Sequence, residues 1–294
     1  MSFDNAYEAL TTAEGESRWA FGTGFDDPLS GVDTTLPDGV DGAEFGRYLM
    51  MLGDDALIAA QRLIEWVTRA PELEDELALA NIALDLLGQA RLLLSRAGQA
   101  DGTGRGEDEL AYFRDEREFR NVRLVETPNG DFGHTTARLL VFSTWRLALF
   151  TRLADSRDPV LAAIAAKGVK ELAYHRDYAA QWTVRLGDGT EESHARVQRG
   201  LDEVWPLVGE LFVPHQTELR MAEAGVGVDP AQVRAEFDEV VDQVCAAATL
   251  QRPDTPPLAG VGGRGGRDGI HTEHLGYLLA EMQSLARAHP EATW

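Results

Sequence analysis

The sequence predicts an all-α protein. Apolar residues recur at helical spacing over nearly all of residues 43–294, and no alternating period-two run is long enough for a sheet. Pro, Gly and Asp clusters divide this region into long segments joined by short turns, the pattern of a helical bundle. Residues 1–42 are acidic, rich in Gly, Thr and Asp and without a clear period, so they are expected to form a loosely attached extension to one helical domain. A first helix is predicted over about 44–69. Pro71, suited to a first helical turn, opens a second that runs to about 97. ADGTGRGED interrupts it, ELAYFRDEREFRN forms a short helix, and ETPNGD turns the chain again. A third long helix is predicted over 132–154. Asp158 and Pro159 start a fourth that reaches about 186. The segment 191–223 should break or kink at Pro206 and Pro214. Asp229 and Pro230 open a helix to about 250, RPDTPPLAGVGGRGGRDG is predicted as a flexible linker, and a last helix begins near Thr272.

Composition narrows the function classes. The chain has 294 residues, 44% of them hydrophobic, enough for a substantial core. Acids outnumber bases 49 to 27, for a net charge of −22. That charge argues against nucleic acid and against anionic membranes as partners. The apolar runs are broken by charged or amide residues before they reach the length of a membrane span. The N-terminus has acids where a signal peptide needs a basic and then an apolar stretch, so a cytoplasmic location is expected. A high-salt cytoplasm is one source of such an acidic surface; a GC-rich genome is the other. Cys245 is the only cysteine, which excludes an intrachain disulfide and a cysteine-rich metal site.

Two helices carry the outline of a metal site. On the second, Asn81, Asp85 and Gln89 lie four apart in an apolar surround, and such a helix is expected to be buried nearly all round. On the fourth, Lys167, Glu171 and His175 lie four apart. A ferritin-like di-iron bundle takes a Glu from each of two helices and a Glu-x-x-His from each of two others. Here Asp85 is followed by Gly88 rather than His, and the third helix has no acid at all. With Glu65 from the first helix, the inward candidates are Glu65, Asp85, Glu171 and His175, too few for two iron ions. We expect a ferritin-like four-helix bundle with additional C-terminal helices and a vestigial metal site. Lys167 and Lys170 are the only lysines in an arginine-using chain. Lys167 shares the inward ridge, and its ammonium is expected where a metal would sit, paired with Glu65, Asp85 or Glu171. A surface salt bridge and a single weak metal are the alternatives.

Two further motifs stand out. Arg114, Arg117, Arg120 and Arg123 recur every three residues, suited to phosphate or to neighbouring acids. HTEHLG offers His271, Glu273 and His274, but capping by Thr272 and a packed histidine explain it better than zinc. No phosphate-binding glycine loop follows a strand, and no Ser-His-Asp triad can be nominated from spacing.

The strings LGDDALIAAQRLIEW, APELEDELALANIALDLLGQAR, LAYFRDEREFRN, VETPNGDF, FTRLADSRDP, KELAYH and HTEHLGYLLAEMQ, in order from about residue 52, carry a family resemblance. The chain resembles the family of non-catalytic structural subunits of the phenylacetyl-CoA 1,2-epoxidase complex, a multicomponent monooxygenase of aerobic phenylacetate catabolism. The resemblance implies a ferritin-like subunit that is not an enzyme on its own. It would bind no cofactor and form a heterodimer or higher heteromer with a catalytic di-iron subunit. That partner epoxidises phenylacetyl-CoA with O2 and with NADPH electrons from a flavin and iron–sulfur reductase. The resemblance also implies contacts to the shared CoA ester, carried onto Glu118, Phe119, Arg120 and Asn121 and onto Leu219, Arg220 and Met221. The rival expectation is a ferritin-like oxygenase or scaffold acting by itself, with metal at Asp85, Glu171 and His175.

Overall fold

The structure is a computed structural model that describes residue 29 and residues 31–292. Among the described residues the regular structure is helical, apart from one isolated bridge between Val261 and Arg264. Nine α-helices are described: α1 Gly42–Ile64, α2 Leu73–Ala100, α3 Glu107–Tyr112, α4 Phe132–Leu153, α5 Pro159–Gly187, α6 Glu191–Val208, α7 Gln216–Glu223, α8 Arg234–Ala247 and α9 Glu273–Ala288. Several begin where side-chain caps satisfy the free amides of a first turn. Asp41 accepts from Glu44 N, Asp131 from His134 N, Asp158 from Leu161 N and Thr190 from Ser193 N.

Four helices make the bundle. α1 packs along α2, α4 along α5, and α2 against α5 closes the set. The α2–α4 connection, residues 101–131, is the long crossover that a ferritin-like bundle needs. α6 and α8 cover α4, α7 lies on α1, and α9 packs on α3 and the crossover. α4 is therefore enclosed on most sides, and its side chains from Ala137 to Phe150 are buried. The core joins Phe45, Leu49 and Leu52 of α1 to Leu86 and Leu93 of α2, Leu140, Trp145 and Phe150 of α4, and Leu161 and Leu172 of α5. Burying a side chain of this size contributes roughly 1.5–3 kcal/mol.

Several expectations change. The first helix stops at Ile64 instead of continuing to 69, and tight turns carry the chain to α2. Thr68 there takes a positive φ of 82°, which a helix does not allow. The expected short helix of 109–121 ends at Tyr112, and beyond it the Arg114 side chain and the Arg120 backbone amide both donate to Asp54 of α1. Pro206 is tolerated in the last turn of α6, and the break falls at 213–215. Residues 31–41 are not loose: Val32, Leu36 and Val40 pack on the core, and Arg96 donates to Thr34 O. The expectation for residues 1–28 and 30 lies outside the described residues.

Two larger corrections concern the linker and α2. The glycine-rich loop anchors Arg267, which is 6% exposed, in the core. A Cβ at Gly266 would lie 2.0 Å from Asn121 O, so only glycine allows this approach. α2 is not buried all round: Leu73, Leu77 and Leu84 are 66%, 58% and 48% exposed.

Candidate functional site

Each bundle helix contributes a polar group near the centre, and α4 contributes an arginine. Arg146 is fully buried; its Nε donates to Gln89 Oε1 at 3.0 Å and its Nη1 to Leu52 O at 3.2 Å. Its guanidinium carbon lies 4.3 Å from the Phe150 ring centroid, in cation–π range. Burial lowers the Arg146 pKa to about 10, so it stays charged at neutral pH. Gln89 Nε2 donates to Glu171 Oε2 at 2.9 Å, and Lys167 Nζ lies 3.2 Å from Glu171 Oε1. A polar chain thus runs from the α1 backbone through Arg146, Gln89 and Glu171 to Lys167. The Lys167 side chain is 37% exposed, so the lysine ends the chain at the rim. The cation in the centre is Arg146, which the spacing argument missed. The available signal was a lone charged residue amid VFSTWRLALF on an acid-free helix.

His175 Nε2 lies 3.0 Å from Asp85 Oδ2, with His175 1% exposed and the Asp85 side chain 37% exposed. Buried His175 Nδ1 and Arg146 Nη2 have no hydrogen-bond partner among the described residues. Glu65 is in neither set. It follows the C-terminus of α1, 2.8 Å from Arg62 Nη1, and accepts from Asn129 Nδ2 at 3.0 Å. The helix ends one residue before Glu65, which directs this carboxylate toward the crossover.

These groups do not fit a di-iron centre. Asp85 is engaged by His175, Glu171 by Lys167 and Gln89, and a fixed guanidinium stands where a cation would meet repulsion. Among the described residues no three His, Cys, Asp or Glu side chains converge as a metal-binding set.

A second group of buried charges lies between α1, the crossover and the C-terminal region. Arg114 forks onto Asp54, with Nη2 2.5 Å from Oδ1 and Nη1 3.0 Å from Oδ2. Arg267 forks onto Asp55 at 2.8 and 3.0 Å, and its Nε lies 3.5 Å from Glu218. Burial works against the charge on Arg267, but Asp55 and Glu218 outweigh it and hold the pKa above the usual arginine value. Glu126 is 2.8 Å from His271 Nδ1 and accepts from Asn121 Nδ2 and Thr272 N. The second His271 nitrogen lies 3.1 Å from Phe119 O. Burial disfavours the imidazolium, yet these acceptors dominate and raise its pKa.

The arginine row is divided by this arrangement. Arg114 faces Asp54, Arg123 faces Glu210 at 2.9 Å, Arg120 donates to Arg117 O and Phe119 O, and Arg117 is exposed. A spacing of three aligns side chains only in a continuous helix, and this segment is mostly irregular. Phe119, Asn121 and Met221 are 0%, 0% and 3% exposed, which leaves Glu118, Arg120, Leu219 and Arg220 able to reach a surface ligand. Arg47 joins them: Arg220 and Arg47 flank Glu44 at 2.6 and 3.5 Å. Burial lowers the His215 pKa; Asp268 at 3.5 Å pulls it up, and Arg267, Arg47 and Arg220 add to the lowering.

A family model described as phenylacetic acid catabolic protein matches residues 35–294. The chain belongs to that family. It is 47% identical over 247 residues to a subunit of the 1,2-phenylacetyl-CoA epoxidase of Escherichia coli (strain K12). The match covers 84% of this chain and 98% of the relative. The family's ferritin-like bundle is the fold described above, here with an arginine at its centre.

Proposed function

We propose that this chain is the non-catalytic structural subunit of a phenylacetyl-CoA epoxidase. In this role it binds a catalytic di-iron subunit and helps hold the CoA end of the substrate. The observation that carries the proposal is the filled bundle centre, where Arg146, Gln89, Glu171 and Lys167 form a hydrogen-bonded chain in place of a ligand set. Its likeness to an epoxidase subunit supports membership of such a complex. The cluster of Arg47, Arg120 and Arg220 supports a contact with an anionic CoA ester, since guanidinium groups pair with phosphate in bidentate fashion.

The test is reconstitution with the catalytic subunit, reductase, NADPH and O2, with iron counted on each separated chain. Iron on the partner alone, and turnover only when both chains are present, is the expected result. Stoichiometric iron on this chain together with turnover in the absence of the partner would instead make it an oxygenase in its own right. Reversing one charge of the cluster, Arg220→Glu, should raise the KM for the CoA ester several-fold with kcat little changed.

A further inference from the structure

His271 opens the HTEHLG motif and takes no part in the bundle centre. Its side chain is fully buried, and both ring nitrogens are engaged. Nδ1 lies 2.8 Å from Glu126 Oε2, and Nε2 lies 3.1 Å from Phe119 O. Glu126 is fully buried too; it takes the Asn121 side-chain amide on the same oxygen and Thr272 N on the other. A carboxyl group whose two oxygens both accept in this way is ionised, and a main-chain carbonyl can only accept. Both His271 nitrogens therefore face acceptors, and the arrangement needs a proton on each. A neutral imidazole would keep only one of the two contacts.

The Phe119 carbonyl links this imidazolium to Arg120. Arg120 Nη1 donates to the same oxygen at 2.8 Å and to Arg117 O at 2.7 Å. The Arg120 backbone is tied as well: its N–H donates to Asp54 Oδ2 at 2.8 Å, and its carbonyl accepts from Arg267 Nη1 at 2.7 Å. The C-terminal loop closes tightly on this segment. A Cβ at Gly269, where φ is 75°, would lie 2.3 Å from Arg117 O and 2.6 Å from Arg120 Nη1, so glycine is required there. The two carbonyls that hold the guanidinium belong to the single 3₁₀ turn Glu116–Glu118 and the residue after it. So short a turn has little rigidity of its own, and His271 supplies a donor from outside it.

The surrounding charges keep the ring protonated. Burial opposes the imidazolium, but Glu126 of the crossover, Phe119 O and Asp54 of α1 outweigh it and raise the pKa. The neighbouring cations have partners: Arg62 of α1 donates to Glu126 O and pairs with Glu65, Arg114 forks onto Asp54, and Arg267 forks onto Asp55. On the α9 side Glu273 is exposed, and the His274 carbonyl accepts from Arg62. We propose that His271 is a positioning residue for the CoA ester: as an imidazolium it fixes Phe119 O, and through that oxygen it aims the Arg120 guanidinium at the ligand's phosphates. This rests on the CoA contact proposed above for Arg120, and it adds the group that sets the aim of that contact and makes it depend on pH.

The test measures KM and kcat for phenylacetyl-CoA in the reconstituted complex from about pH 6 to pH 9, which spans the titration of a raised histidine. Each variant is read as a ratio to wild type at the same pH, so that titration of the ligand and of the other chains cancels. For His271→Gln the KM ratio should be about fivefold in acid, the scale of one net hydrogen bond, and fall toward one as wild-type His271 loses its proton. The kcat ratio should stay near one throughout, because the contact is remote from the reacting ring. Arg120→Gln should raise KM by itself, and adding His271→Gln should then change nothing further, since both act on one contact. A measurement on the wild type needs no variant to fold: the midpoint of the His271 ring titration, followed by NMR of isotope-labelled histidine, should coincide with a rise in KM. A His271→Gln ratio that is constant with pH, an effect of His271→Gln undiminished in the Arg120→Gln background, or a wild-type KM unmoved at the ring's midpoint overturns the proposal. An unaltered KM in Arg120→Gln removes the CoA contact itself, and with it both this inference and that part of the proposed function.

Discussion

The bundle centre and the α1–crossover junction are both polar, but they are built differently. In the centre, partners are spread along a chain: Arg146 touches an amide and a carbonyl, the amide touches Glu171, and Glu171 meets a half-exposed lysine. At the junction, Arg114 and Arg267 fork directly onto fully buried Asp54 and Asp55. The junction pairs tie segments far apart in sequence, residue 55 to residue 267 and residue 54 to residue 114. The comparison teaches that polar groups in this core act as clamps where loops meet helices and as a looser filling where a metal-binding relative would hold its ligands.

The largest expected effect lies at the junction. Arg267→Met leaves Asp55 buried without its charge partner, and such a loss costs about 3–5 kcal/mol. Urea unfolding should show it, and a cost similar to that of Lys167→Ala would erase the distinction between the two regions. Arg146→Met should cost less, about 1–3 kcal/mol, because it leaves unsatisfied dipoles rather than a naked carboxylate. A larger loss for Arg146→Met than for Arg267→Met would reverse the ranking.

The third prediction uses pH. His271 binds its proton more tightly in the folded protein than in the unfolded chain, through Glu126 and Phe119 O. Its stabilisation is therefore complete below the unfolded value, about pH 6.5, and is lost as pH rises through the raised folded pKa. His271→Gln should melt well below wild type at pH 6, and the gap should narrow in alkaline buffer. A gap that does not change with pH would show that packing alone explains His271. The smallest effect belongs to Lys167→Ala. Its ammonium is partly solvated, and such pairs contribute less than about 1 kcal/mol.

Much of the fold was legible because helix boundaries follow local chemistry. Asp158 and Pro159 start α5 where their capping and fixed φ predict, and Asp131 does the same for α4. The ridge spacing also placed Lys167, Glu171 and His175 on one face of α5, whereas the pairing of His175 with Asp85 came from the structure. The site was less legible where contacts are long-range. Arg267 sits in a run of glycines that reads as a linker, and its role emerges only when residue 55 is brought beside it. Asp54 and Asp55, two adjacent acids on an apolar helix, were available as a signal, since buried acids require partners.

The sequence by itself determined the helical class and the order and approximate ends of the long helices. Those depend on period, caps and residue type, which are properties of short stretches of chain. Only the tertiary structure decided that Arg146 rather than Lys167 stands at the centre, that the glycine loop is a clamp, and that α2 keeps an apolar ridge outside. The physical reason is that an arginine's partners and a leucine's burial are set by which surfaces meet, and those surfaces come from residues that can lie more than a hundred positions apart.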